Sequence, residues 1–83
     1  LNPTTMWKTK FLFRTEDEQF EALVNPMHIR EAAAVALTQH GVKFMEIADA
    51  KTGETLMVCV YREANPNGGF MFLFPEDKSE NED

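Results

Sequence analysis

Two histidines, one cysteine and a run of carboxylates are the side chains whose types and spacing raise the question of catalysis or metal binding. His28 and Glu31 are three residues apart, close enough to share one helical face, with Asn25 nearby. A metal site needs three or four converging ligands. His40 lies twelve residues beyond His28, about three helical turns away, so the two cannot share an ion within one helix. His28 is expected at the surface. His40 is expected beside a helix C-terminus, where the helix dipole favours a cation.

Cys59 with either histidine is the only nucleophile–base pairing of that kind open to the chain. It sits between Val58 and Val60, in the middle of an apolar strand pattern rather than on a turn or at a helix N-terminus, where thiolates are stabilised. A single cysteine cannot form an internal disulfide. The expectation is a buried, reduced thiol in a reducing cytoplasm. Glu16, Asp17, Glu18 and Glu21 cluster near a turn, but paired carboxylates do hydrolytic work only inside a cleft. Gly68-Gly69 lacks both a following helix and the Lys-Ser/Thr of a phosphate loop. No enzyme is expected, and no catalytic residue, metal or cofactor.

The cations form a different pattern. Lys8, Lys10 and Arg14 alternate along one strand, continued by Arg62, with Trp7, Phe11 and Phe13 interleaved. This resembles in outline the basic and aromatic pattern of sheet-based RNA binding. Alternation, however, sends the aromatics to the opposite side, and Lys residues also guard exposed sheet edges. The charge balance opposes the idea too: 14 acids against 8 basic residues leave −6, whereas nucleic-acid binding needs a basic footprint. Nucleic acid is therefore the alternative partner, not the expected one.

With 83 residues, 43% hydrophobic and 27% charged, the chain has the size and composition of one small globular domain. No apolar run approaches the ~20 residues that span a bilayer. Residues 1–5 read as a non-native remnant or a disordered lead, with the domain over 6–75. Residues 76–83 hold five acids and one lysine and no apolar side chain, so a disordered acidic tail is expected there.

The patterning predicts an α+β fold. Residues 6–14 alternate as a strand. Residues 19–24 fit a strand through Phe20, Ala22 and Val24, although Thr15 with Glu18 also matches a helical capping box. Asn25 caps a helix that has Pro26 at its first position and ends before Gly41. Strands follow over 42–50, 55–63 and 70–74, joined by turns at Gly53 and at Asn65-Pro66-Asn67-Gly68-Gly69. The expected architecture is a small antiparallel sheet of four to five strands, order ββαβββ, with one main helix (residues 26–40) on one face. The variant is a strand, a short helix, the main helix and three strands.

One Ala-rich helix covers one side of such a sheet. Assigning Trp7, Phe11, Phe13, Val58, Val60, Phe70, Phe72 and Phe74 to the helix side leaves Met45, Met57, Cys59, Tyr61, Met71 and Leu73 on the other. Leaving that many apolar side chains wet is costly for a small domain. Those six are the expected protein interface of a small acidic regulator, inhibitor or adaptor, in its simplest form a homodimer packed sheet to sheet. Small regulators of phages and mobile elements offer an analogy, not a match.

Overall fold

A computed structural model describes residues 7–75. The expected leader 1–5, strand start at Met6 and tail 76–83 lie outside the described residues. The chain forms a five-stranded antiparallel sheet with one helix packed on one face, in the order ββαβββ. Strands β1 (Thr9–Arg14), β2 (Gln19–Val24), β3 (Phe44–Asp49), β4 (Thr55–Tyr61) and β5 (Phe70–Leu73) are arranged β2-β1-β3-β4-β5 across the sheet.

The segment 15–24 resolves as turn and strand. Thr15 N–H donates to the Glu18 carbonyl at 2.8 Å, and the Thr15 hydroxyl accepts from the backbone N–H groups of Asp17 and Glu18. The Thr15/Glu18 spacing thus closes a hairpin instead of capping a helix. This local hydrogen bonding competes with helix formation at its first turn. After β2, Asn25 Oδ1 accepts from Met27 N–H at 3.0 Å, as expected of a cap. The first turn, Pro26–His28, is 3-10, and the α-helix α1 runs Ile29–Gln39. It ends in paired bonds from Gly41 N–H to the Thr38 carbonyl and from Val42 N–H to the Leu37 carbonyl. That motif needs a left-handed residue, supplied by Gly41 at φ 67°.

The core lies between α1 and the sheet. It consists of Phe11, Phe13, Ala33, Leu37, Met45, Ile47, Met57 and Cys59. Ala33 is fully buried, and its short side chain lets the helix backbone come close to β3 and β4. Among the described residues, no helix is long and apolar enough to cross a membrane.

The structure exchanges the two faces of β4 relative to the expectation. Met45 pairs with Cys59, Ile47 with Met57, Cys59 with Phe72 and Tyr61 with Phe70. Directly opposed residues of an antiparallel pair project to the same side. All of these therefore face α1, while Val58 and Val60 face away. Trp7, before β1, is 69% exposed, and Phe74, after β5, is 57% exposed, so neither joins the core. A register shift between Ile47 and Ala48 leaves Leu56 as an extra residue in β4.

Candidate functional site: the helix-free face of the sheet

Four of the six expected interface residues lie under the helix. Met45 and Cys59 are fully buried, Met57 nearly so, and Tyr61 is half-buried against the core with the Lys43 ammonium over its ring. Met45, Met57 and Cys59 are covered by the fold, and Tyr61 is on the helix side, away from the open face. Met71 and Leu73 are on the open face, 39% and 48% exposed. The physical reason is phase. In a strand apolar on both sides, a one-residue choice sends the whole set to the other face.

The open face still carries surplus apolar surface, in a different set. Phe44 stands opposite Val60, Val60 opposite Met71, and Val58 opposite Leu73, so these five side chains tile contiguous positions on β3, β4 and β5. Phe44 is 42% exposed, and Leu56 adds exposed apolar area at the bulge. The deciding signal in the sequence was Glu46. A carboxylate between Met45 and Ile47 fixes which side of β3 faces away from the core, and pairing carries that choice to β4.

The β1–β2 half of this face carries the charged side chains, with Leu12 and Leu23 among them. Arg14 Nη2 donates to Glu46 Oε2 at 3.0 Å, to the Gly53 carbonyl at 3.0 Å and to Thr55 Oγ1 at 3.4 Å. The Thr55 hydroxyl also donates to Glu46 Oε2. The Thr55 hydroxyl and the Arg14 guanidinium hold the Glu46 carboxyl below the ordinary carboxylate range. Lys10 lies 3.7 Å from Glu21. The four-cation row is thereby divided: Lys10 and Arg14 are matched by carboxylates, Lys8 precedes β1, and Arg62 follows β4, two strands away from β1 in the sheet.

The candidates for chemistry are dispersed. His28 is exposed in the 3-10 turn, whereas His40 stacks on Phe20 with centroids 4.9 Å apart and lies 3.5 Å from Glu18. Burial pushes the Cys59 thiol above its ordinary value, away from nucleophilic character. Asp49 is spent on its turn, where Oδ1 accepts from Thr52 and Lys51 N–H and its carboxyl is lowered as a result. Among the described residues, no three His, Cys, Asp or Glu side chains converge to hold a metal.

One feature escaped sequence reasoning. Between α1 and β2 runs an open apolar groove of about 410 Å³, with Phe20, Ala22 and Val24 on the strand side and Ala32, Val35 and Ala36 on the helix side. The short side chains of the Ala-rich helix leave this space beside β2. Compared with known proteins, the chain matches no family model, no curated protein and no solved structure.

Proposed function

We propose that the protein is a small acidic interaction module that acts by contact rather than by catalysis and pairs with a second copy of itself through the helix-free face. The observation that carries this reading is the contiguous set Phe44, Val58, Val60, Met71 and Leu73 on three adjacent strands. The adjoining carboxylate, Glu46, is already matched by Arg14. A chain of net charge −6 repels its own copy over most of its surface. Two copies meeting at this patch bring together apolar side chains and a neutralised pair, so the face that gains most from being covered is also the one least opposed by charge. A free, buried Cys59 is at home in a reducing compartment such as the cytoplasm.

Light scattering at micromolar concentration tests the proposal. A mass of twice 9.5 kDa is expected, falling to 9.5 kDa in Leu73→Glu. A wild-type protein that runs at 9.5 kDa under these conditions overturns the homodimer.

A further inference from the structure

The free edge of β2 and the groove beside it combine into a second binding surface. Antiparallel ladders alternate hydrogen-bonded and non-bonded pairs. The bond from Thr15 N–H to the Glu18 carbonyl sets the phase, so the bonded pairs further along are Phe13 with Phe20, Phe11 with Ala22 and Thr9 with Val24. The alternate residues Gln19, Glu21 and Leu23 direct their backbone N–H and C=O groups away from β1. Among the described residues no strand lies on that side, where β2 is the edge of the sheet.

A strand added there would sit about 4.8 Å outside β2, with every second side chain on the helix side. Those side chains would enter the groove between Phe20, Ala22 and Val24 and the short side chains of α1. Hydrogen-bonding edge and apolar trough are therefore in register for one extended segment.

Charge selects the occupant. Residues 15–24 include Glu16, Asp17, Glu18 and Glu21 and no cation, and Glu31 lines the groove from the helix. A second copy's β2 would bring four more acids against these. We propose that the β2 edge receives, as a sixth strand, an extended peptide of alternating apolar and basic residues from a partner protein. Its apolar side chains fill the groove, and its basic ones, on the opposite face, meet Glu21 in place of the exposed Lys10 contact, with Glu16 and Asp17 adding negative potential at the turn. This surface is separate from the helix-free face and does not depend on dimer formation.

The test uses the full chain and a ten-residue peptide alternating Val and Lys, read by fluorescence anisotropy and amide hydrogen exchange. Binding is expected, weakening as salt is raised, with new protection at the Gln19, Glu21 and Leu23 amides. A peptide of the same composition with Val and Lys in separate blocks is expected to bind about ten-fold more weakly, as is Val alternating with Glu. Glu21→Pro removes an outward N–H that makes no bond to β1, so the fold survives while affinity drops about ten-fold. Ala32→Leu fills the groove from the helix, leaving the strand's own residues unchanged, and is expected to lower affinity similarly. Absence of binding, equal binding of the block peptide, or protection at Phe70–Leu73 instead of β2 overturns the proposal.

Discussion

Arg14 and Glu46 stand directly opposite one another across the β1–β3 ladder, their Nη2 and Oε2 atoms 3.0 Å apart. The same guanidinium reaches the Gly53 carbonyl in the β3–β4 turn, and the same carboxylate accepts from Thr55 at the start of β4. One ion pair therefore fastens three strands on the face opposite α1. Val58 is the next residue across the ladder from Glu46, so the pair also marks where the charged half of this face ends and the apolar half begins.

Arg14→Met should lower stability by about 1–2 kcal/mol, because it leaves a half-buried carboxylate with one side-chain donor fewer while solvent screens part of the loss. The pH dependence follows from the depressed Glu46 carboxyl. Its contribution is present above the ordinary glutamate value of 4.5 and is lost as pH falls through the lower folded value. Urea midpoints measured at neutral pH and below pH 4 check both statements. The gap between wild type and Arg14→Met should narrow in acid.

The two faces of β4 and β5 make opposite predictions for similar residues. Met57 is buried beneath α1, and Met57→Ala should cost about 2–5 kcal/mol through lost transfer and a residual cavity. Met71→Glu, on the open face, should cost the isolated domain within about 1 kcal/mol while reducing the solution mass to that of one chain. Thermal melts paired with light scattering separate the two effects. A Met71→Glu protein that keeps the wild-type mass would remove this side chain from the interface.

Much of the architecture was legible because local chemistry and tertiary packing agree. Asn25-Pro26 and Gly41 bracket the helix, and Gly53 and Gly68-Gly69 mark the later turns. Two things were not legible. Thr15 and Glu18 suit a hairpin and a helix start equally, and only pairing with β1 decides between them. β4 is apolar on both sides, Leu56, Val58 and Val60 against Met57, Cys59 and Tyr61, so periodicity predicts a strand and is silent about its inward face. The answer was carried by a neighbour, Glu46, through ladder register. Both sides of β4 are apolar, so the exchange of faces still leaves apolar side chains on the open side, where Met71 and Leu73 of the expected set lie.

Gly69 is fixed by a neighbour as well as by its backbone. At φ 96° a Cβ would lie 2.5 Å from Tyr61 Cε1 and 3.1 Å from the Arg62 carbonyl oxygen. The Gly69 carbonyl also accepts from Arg62 N–H at 2.8 Å and from the Asn65 side chain at 3.1 Å, closing the β4–β5 loop. Gly69→Ala should therefore cost more than about 2 kcal/mol, adding the strain of a positive φ to a displaced Tyr61 ring. Gly53→Ala, where a Cβ meets nothing within 4 Å, should cost only the backbone term of about 1–2 kcal/mol for an L-residue in the left-handed region. Denaturant midpoints of the two variants measure the difference, and equal losses would contradict the crowding at Tyr61.

Cys59 is completely buried, pairs with Met45 on one side and Phe72 on the other, and has its thiol pushed upward by burial. Two consequences follow. Thiol-reactive dyes should label the folded protein only through unfolding or local opening, so the labelling rate in native buffer should fall far below that in urea. In the unfolded chain the thiol ionises near its ordinary value of 9.0, whereas in the fold it stays protonated to higher pH. Stability is thus retained below that value and lost as pH climbs from it towards the raised one. Cys59→Ala removes this alkaline loss but also empties part of a close-packed site, so its midpoint should be lower at pH 7 and depend less on pH above 9. Prompt labelling of the native protein, or an unchanged alkaline slope in Cys59→Ala, would place the sulfur outside the core.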